Sequence, residues 1–428
     1  MSNHHVDLSK QKSPQSRNNG LYYGWIVVIA LLISSTILYG TVQSFGVFFK
    51  SIENAYNLTR TMTSAVVSIN WFISGAAAFI TGRALDKYGP KTVVFLMGLF
   101  TGLSLILTGQ TNSPWQLFIT YGLLLPFGTG AVYVVLTSAV SRWFDKRRGL
   151  ALGVTGAGSG LGTIIMVPLT TYLVTQLDWR TAYVILGLIA LAVIIPFSRL
   201  LRREPSEVRG SNEIKLNLQY SESEYKNANQ KNFSLSQVIS TRDFWLILFI
   251  WMLFGSCLLF IFTHLVPHIT DIGFSPIEAA GVLSVFGVAS ITGRVLIGAV
   301  ADRIGRKLTS VVAILLQAGA MFWLVGSQEL WMFYVFAVIF GCAYSGFSAS
   351  MGALIGDVFG LARIGSIFGV LEIGFSIGAA AGPAIGGLIF DHSGSYFTAF
   401  LVLGFSMLII SLLVGLLGVQ RTPKDILP

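Results

Sequence analysis

Residues 281–307 read GVLSVFGVASITGRVLIGAVADRIGRK, an apolar run whose one charge, Arg294, is followed by a basic turn. The run is long enough to cross a bilayer as a helix. An arginine at the centre of such a helix costs about 3 kcal/mol on insertion scales, so it is expected to face the protein interior and meet an anion. Arg294 is therefore the first candidate for a substrate-binding residue.

The composition of the whole chain agrees with a membrane location. Of its 428 residues, 54% are hydrophobic and 11% are charged, against about 25% charged in an average soluble protein. Most of the 46 glycines lie inside apolar runs, as expected where helices pack closely in lipid. The sequence predicts an all-α polytopic protein that crosses the plasma or inner membrane of the cell many times.

Apolar runs of about 20 residues each predict the membrane helices. There are twelve of them, at residues 22–48, 60–82, 92–110, 114–140, 150–174, 181–200, 244–266, 277–300, 309–327, 331–356, 364–389 and 397–419. The predicted organisation is a tail (1–21), a six-helix bundle (22–200), a linker (201–242), a second six-helix bundle (243–420) and a second tail (421–428). The linker contains SESEYKNANQKN, which has the composition of a flexible loop.

The basic residues are concentrated on one predicted face of the membrane. Of the 28 Lys and Arg residues, 24 fall in the tails, in the segments that join each even-numbered helix to the next, or, for Arg199, at the adjoining end of the sixth run. By the positive-inside rule this distribution places both termini in the cytoplasm. The net charge of +9 is therefore explained by topology, and no nucleic-acid partner is expected. The exceptions are Lys50, Arg60 and Arg180 on the other face and Arg294 within the membrane.

An internal repeat relates the two halves of the chain. GRALDKYGPK at 82–91 recurs as GAVADRIGRK at 298–307, an offset of 216 residues. Glycines permit a tight reversal, aspartate caps a helix or pairs with a base, and basic residues hold the turn in the cytoplasm. The second half thus copies the first as a pseudo-symmetric bundle. The matching turn residues are Gly82, Asp86, Gly89 and Lys91, and Gly298, Asp302, Gly305 and Lys307.

With six plus six helices and this turn after helices 2 and 8, the chain resembles the major facilitator superfamily over essentially its whole length. Within it, the chain resembles the monocarboxylate transporter family and its bacterial relatives, which include oxalate/formate exchangers. YGW at 23–25, with Gly24 and Trp25, and VFFKSIE at 47–53 are similar to that family's first signature. WFDKRRGLALG at 143–153, with Lys146, Arg147 and Arg148, is similar to its second.

The resemblance implies two bundles that rock around a central cavity and carry small carboxylates. Arg294 falls where that family has its substrate-binding arginine on helix 8. Animal members carry a lysine on helix 1 and an aspartate on helix 8 that are tied to proton coupling, and this chain has Gln43 and Ser290 there. Gln43 is a candidate substrate contact by this alignment, and any proton step must use other groups.

Glu372 is the candidate for proton coupling. At about 1.5 Å per residue, Arg294 lies roughly 12 Å and Glu372 roughly 14 Å from the cytoplasmic ends of their helices. We hypothesise that Glu372 neutralises Arg294 in the empty protein and that a protonated Glu372 releases the guanidinium for a substrate carboxylate. The alternative is a permanent structural ion pair, because buried charges are usually paired.

Four polar residues complete the candidates. Tyr133 and Tyr344 lie near mid-bilayer, where a phenol donates a hydrogen bond to a carboxylate or simply packs. Asn70 is either a substrate contact or a bond between helices. His264 is either a titrating gate residue, and so a second proton-coupling candidate, or an interfacial histidine whose hydrogen bonds are satisfied.

The motifs that enzymes and pumps need do not occur in the sequence. It has no phosphate-binding G-x-x-x-x-G-K-[ST], no metal-ligand cluster and no nucleophile elbow, so neither an enzyme nor a cofactor is expected. The predicted function is secondary active transport of a small organic anion of the monocarboxylate type, by alternating access and proton symport. Three alternatives stay open: an oxalate/formate-type exchanger, a drug or metabolite exporter, and a non-transporting sensor. The expected partners are the anion, protons and the lipid bilayer, and the protein is expected to be a monomer.

Overall fold

The computed structural model describes residues 18–144, 148–203, 235–359 and 364–418. Within those ranges every regular element is a helix, and eleven helices are long and apolar enough to cross a membrane. The predicted all-α, multi-pass fold is confirmed. Lys146 and Arg147 lie outside the described residues, and so do the side chains of Arg148 and Asp302.

The helices are numbered in chain order. α1 is Asn18–Gln43 followed by Phe45–Tyr56, and Arg60–Gly109 contains α2 and α3, before and after Gly89. α4 consists of Pro114–Leu117, a π-helix Phe118–Leu124, Pro126–Thr129 and Val132–Trp143, and α5 of Arg148–Gly156 and Gly158–Gln176. The others are α6 Trp179–Ser198, α7 Arg242–Ile272 with a short helix Leu235–Ile239 before it, α8 Pro276–Ile304, α9 Arg306–Val325, α10 Leu330–Phe359, α11 Ile364–Ser393 and α12 Phe397–Gly415.

The repeated turn reverses the chain at its second glycine. Gly89 has φ 78° and Gly305 has φ 91°, which is the left-handed region that glycine enters without steric cost. Gly89 interrupts a continuous run of 50 residues, so its two parts are separate helices. This division matches the two separate apolar runs at 60–82 and 92–110. The first glycines of the motif, Gly82 and Gly298, are helical.

An ion pair connects each copy of the turn to a neighbouring helix. The turn supplies the acid in the first copy and the base in the second. In the first copy, Arg142 on α4 donates to Asp86 at 3.0 Å. In the second, Arg306 at the turn pairs with Asp357 on α10. Lys307 also donates to the carbonyl of Leu417 at 2.8 Å. Asp86 therefore pairs with a basic residue, which is one of the two roles predicted for the aspartate of the motif.

Each half has its own buried apolar core. One core is formed by residues between 27 and 201, and the other by residues between 238 and 417 together with Val47 and Val167. The halves meet mainly along two seams, α2 against α11 and α5 against α8, and the second segment of α1 also contacts α7. At the second seam a Cβ on Gly160 would lie 3.0 Å from the carbonyl oxygen of Gly287, so glycines allow the two backbones to approach closely.

The two stretches that resemble family signatures pack against each other. Tyr23 stacks on Trp143 with ring centroids 5.5 Å apart, and Trp25 meets Phe144 edge-on at 5.3 Å. A Cβ on Gly24 would lie 3.0 Å from the Phe144 ring, so glycine gives that ring room. These residues pack the start of α1 against the end of α4.

The two ends of the bundle are defined by these turns. Arg60 at the start of α2 lies 3.0 Å from Asp271, which is close to the start of α8. The helices α2 and α8 therefore run in the same direction, and their turns at Gly89 and Gly305 lie at one end, the turn face. The other end, where Arg60 and Asp271 meet, is the opposite face.

One predicted helix ends too early in the chain. α7 continues through Pro267 to Ile272, six residues beyond the predicted end at 266. Its last turn contains His268 and Asp271, so hydropathy falls although the helix continues. Hydropathy therefore marks the apolar segment of the helix, and the helix itself extends beyond that segment.

Candidate functional site

Arg294 lies on α8 at the seam between the two halves. Its guanidinium is packed against Gly156 of α5, where a Cβ would overlap Nη1. Among the described residues, Arg294 has no carboxylate within 4.0 Å and no hydrogen bond. An arginine without such a partner is costly at this depth in a membrane.

The direct ion pair between Arg294 and Glu372 is not formed in this conformation, which corrects the expectation from sequence. The reason is the packing of the helices: α8 packs on α5, whereas α11, which carries Glu372, packs on α2. One turn from Glu372, Ser376 lies 3.2 Å from the Cβ position of Gly75 on α2. The two charged groups therefore approach the centre of the protein from different seams.

Three tyrosines lie near these two charges. Tyr39 and Tyr133 each lie within electrostatic range of both Arg294 and Glu372, and so does Tyr344. Tyr133 is 41% exposed and its ring lies 6.1 Å from that of Phe368 in the other half, as expected for a side chain that borders a space between the halves. The predicted residues Arg294, Glu372, Tyr133 and Tyr344 thus come together.

Tyr39 was missed by sequence reasoning. It is an aromatic residue in an apolar helix, so nothing in its own composition marks it. The available signal was its position four residues before Gln43, because residues at this spacing share one face of a helix.

Gln43 borders the site indirectly, through a chain of hydrogen bonds. Its Nε2 donates to Ser159 Oγ at 2.9 Å, and Thr163 Oγ1 donates to its Oε1 at 2.7 Å. Ser159 and Tyr344 both border the small cavity beside Arg294. The Gln43 amide is therefore already bonded in α5, and it orients Ser159 beside the site.

A small cavity lies next to the guanidinium. It has a volume of about 10 Å³ and is bordered by Arg294, Tyr344, Ser159 and Ser290 among others. That volume is about what one water molecule needs. Because a carboxylate is larger, an anion that binds Arg294 from this cavity requires the seam to move.

A second charged group closes the opposite face. Arg60 is 7% exposed and donates from Nε to Glu53 at 3.1 Å, from Nη2 to Asp271 and from Nη1 to Tyr396 at 2.8 Å. Its guanidinium also lies 4.2 Å from the centre of the Phe390 ring. Arg60 and Glu53 belong to the first half and the other partners to the second, so one side chain fastens the halves together.

The N-terminus of α2 is capped from the other half. Asp391 accepts from the backbone N–H of Arg60 at 3.0 Å and of Thr61 at 2.9 Å. A carboxylate is favourable there because it meets the positive end of the helix dipole. Lys50 adds an ion pair to Asp271 at 2.6 Å. We call Lys50, Glu53, Arg60, Asp271, Asp391 and Tyr396 the opposite-face cluster.

The seams are closed toward the opposite face and looser toward the turn face. Beyond the cluster, Trp71 of α2 contacts Phe375 of α11 with ring centroids 5.7 Å apart. Toward the turn face, the Cβ positions of Gly153 on α5 and Gly298 on α8 have no described atom within 4 Å. These two positions on α5 and α8 are therefore open.

The sequence profile of the Major Facilitator Superfamily matches residues 31–327 and 265–427. These matches span nearly the whole chain. The chain belongs to the major facilitator superfamily. It is thus a superfamily transporter, as the sequence predicted.

Its relatives within the superfamily include monocarboxylate transporters. Monocarboxylate transporter 12 of Xenopus laevis is 26% identical over 411 residues, covering 92% of this chain and 88% of the relative. Monocarboxylate transporter 13 of Rattus norvegicus is 24% identical over 388 residues, covering 89% and 86%. A crystal structure of a bacterial homologue of the human lysosomal transporter Spinster, inward-facing and unoccupied, has a TM-score of 0.65 at 14% identity, covering 92% of this chain and 95% of that one. The last likeness shows the superfamily fold.

Asn70 is a packing residue in this superfamily transporter. It is 1% exposed, and its Nδ2 donates to the carbonyl of Tyr121 at 2.8 Å. Tyr121 lies in the π-helix of α4, where the wider turn changes the usual backbone bonding. The structure therefore favours the bond between helices and places no part of the Asn70 amide at the cavity.

His264 is buried and not interfacial, which corrects its expected position. It is 0% exposed, its Nδ1 lies 2.9 Å from the Tyr396 hydroxyl and its Nε2 lies 2.9 Å from the Pro383 carbonyl. Because a carbonyl only accepts, Nε2 carries the proton and Nδ1 accepts from Tyr396. His264 thus orients the hydroxyl that receives Arg60, and its hydrogen bonds are satisfied.

Proposed function

We propose that this chain is a secondary transporter of a small organic anion of the monocarboxylate type, coupled to protons and working by alternating access. The observation that carries the proposal is Arg294, which lies between the halves without a carboxylate or hydrogen-bond partner among the described residues. The names of the relatives support the same substrate class. We further propose a monomer in the plasma or inner membrane of the cell.

Arg294 is the proposed docking point for the substrate carboxylate. A guanidinium offers two parallel N–H groups that match the two oxygens of a carboxylate. The phenols of Tyr39, Tyr133 and Tyr344 supply further donors without adding charge. One cation surrounded by neutral donors suits a singly charged acid.

Glu372 is the proposed carrier of the proton. Anion binding adds one negative charge to a region that already holds Arg294 and an ionised Glu372. A proton on Glu372 cancels that added charge, so anion and proton cross together with no net charge moved. This role does not require the direct ion pair, because both groups act on the same phenols.

The asymmetry of the seams supports alternating access. With the turn face in the cytoplasm, the closed opposite-face cluster corresponds to an inward-facing conformation. Outward opening then requires Arg60 to leave Asp271 and Tyr396, and the first turn of α2 to leave Asp391.

Uptake into proteoliposomes tests the proposal. Labelled lactate, pyruvate or oxalate is offered with and without an inward proton gradient and with and without the same anion inside. We expect gradient-driven uptake that Arg294→Gln abolishes and that Lys87→Gln, which removes an exposed charge outside the site, preserves. Uptake that needs internal anion identifies an exchanger, binding without flux identifies a sensor, and carboxylate uptake retained in Arg294→Gln contradicts the proposal.

A further inference from the structure

The helix that receives Arg294 is interrupted at the point of contact. α5 consists of Arg148–Gly156 and Gly158–Gln176. At the break, the N–H of Ala157 is shared between the carbonyls of Gly153 at 3.1 Å and Val154 at 3.2 Å. The hydroxyl of Ser35 on α1 lies 3.3 Å from the Thr155 carbonyl. The break is thus fixed from the side of α1.

The guanidinium of Arg294 fills the space that a side chain at position 156 would occupy. A Cβ on Gly156 would overlap Nη1 and lie 3.3 Å from Cζ. No hydrogen bond or ion pair to a described residue holds Arg294 in this place. Its position therefore depends on shape, and we call the space beside Gly156 the glycine notch.

Without the notch, Arg294 has another way to satisfy its charge. Long basic side chains in membrane helices extend toward the nearest water, and this one lies roughly 12 Å from its helix end at 1.5 Å per residue. Toward the turn face the Cβ positions of Gly153 and Gly298 have no described atom within 4 Å, so there is room for that movement. The notch keeps the guanidinium beside the cavity.

The internal repeat places the notch and the acid at equivalent positions. Adding the offset of 216 to 156 gives 372, so Gly156 on α5 corresponds to Glu372 on α11. At one seam the equivalent position makes room for the cation, and at the other it carries the anion. Equivalent positions in the two halves thus carry residues with complementary properties.

We propose that Gly156 is a positioning residue for Arg294 and that it makes anion affinity depend on the arrangement of the halves. This proposal rests on the proposed function. The cation, Arg294, belongs to the second half, and the glycine notch belongs to the first. When the halves rock, α5 moves relative to α8, and the guanidinium is presented differently in the two conformations.

A double-mutant cycle tests this dependence in the full-length protein. Labelled lactate is the transport probe, and the variants are Gly156→Ala, Arg294→Lys, both together, and Gly153→Ala as the matched control one turn away. We expect Gly156→Ala to raise KM about tenfold with less than a twofold loss of maximal rate, since a group misplaced by about 1 Å loses much of its effect. In the Arg294→Lys background the same change costs less than twofold, because the overlapping Nη1 is gone.

A second readout does not depend on transport. Phenylglyoxal labelling of the peptide that contains Arg294 is followed by mass spectrometry in the same detergent-solubilised variants. We expect severalfold faster labelling in Gly156→Ala and no change in Gly153→Ala, because the displaced guanidinium moves toward water.

The outcomes separate this inference from the proposed function. An equal KM penalty for Gly156→Ala in both backgrounds, or unchanged labelling, overturns the positioning role. Absence of carboxylate transport by the wild-type protein overturns the proposed function, and the labelling result still decides the role of Gly156.

Discussion

Two arginines within this membrane protein have opposite surroundings. Arg60 is bonded to two carboxylates and a phenol, whereas Arg294 has no such partner among the described residues. Breaking a satisfied buried pair costs about 3–5 kcal/mol, so Arg60 is suited to holding a structure closed. A guanidinium without a partner gains by binding an anion. The difference in partners supports the different roles proposed for the two arginines.

The role of Glu372 is tested at the level of this one residue. Glu372→Gln keeps the shape of the side chain and removes the proton site, so we expect loss of uptake driven by a pH gradient while exchange of internal for external anion persists. Glu329→Gln, an exposed acid outside the helices, is the control. Wild-type pH coupling in Glu372→Gln removes Glu372 from the proton step.

The packing role of Asn70 leads to a different expectation. In Asn70→Ala the buried carbonyl of Tyr121 loses its side-chain donor, and an unsatisfied buried group costs about 1–3 kcal/mol. We expect a lower melting temperature by fluorescence-detected unfolding and an unchanged KM in the protein that remains folded. Asn112→Ala, at an exposed loop position, controls for the loss of an amide. A raised KM with an unchanged melting temperature indicates substrate contact instead.

At the level of helices and turns, the motif glycines of the repeat divide into two kinds. Gly89 and Gly305 have positive φ, so alanine there costs about 1–2 kcal/mol. Gly82 and Gly298 are helical with at most an ordinary contact at the Cβ position, so alanine is neutral or stabilises by up to about 1 kcal/mol. Melting temperatures of the four alanine variants measure this. Equal losses at all four positions contradict the assignment.

The same elements show what a sequence reveals about such a protein. Hydropathy and the repeat are read along the chain, and they predicted the helices, the turns at Gly89 and Gly305, and Arg294 as an isolated charge. The depth of a residue in the membrane could also be predicted, because it follows from the number of residues between it and the end of its helix. The choice of which helices pack together was not accessible. The direct Arg294–Glu372 pair is absent because α8 packs on α5 whereas α11 packs on α2.

In the whole molecule, the part that sequence reasoning missed is the opposite-face cluster. Each of its charges stands near a helix end, where a charge is ordinary, and only the assembled halves bring Arg60, Asp271 and Asp391 together. The one signal was that Lys50 and Arg60 are exceptions to the distribution of basic residues. Residues that break a topological rule are good candidates for contacts between halves.

The cluster leads to a prediction for the arrangement of the two halves. Asp271 accepts from Arg60 and Lys50 of the other half, so Asp271→Asn weakens the closure and shifts the population toward opening at the opposite face. Asp271 is 28% exposed and Lys50 is 34% exposed, so we expect a shift of about tenfold, within the usual range of coupling between conformations. Spin labels at the exposed positions Gln176 and Gln328 report it as a longer distance between the halves by electron double resonance. Glu53→Gln is the matched control: Glu53 bonds the same Arg60 from within one half, so its loss leaves the bonds across the seam in place. An unchanged distance distribution in Asp271→Asn, or an equal shift in both variants, means that Asp271 does not hold the opposite face closed.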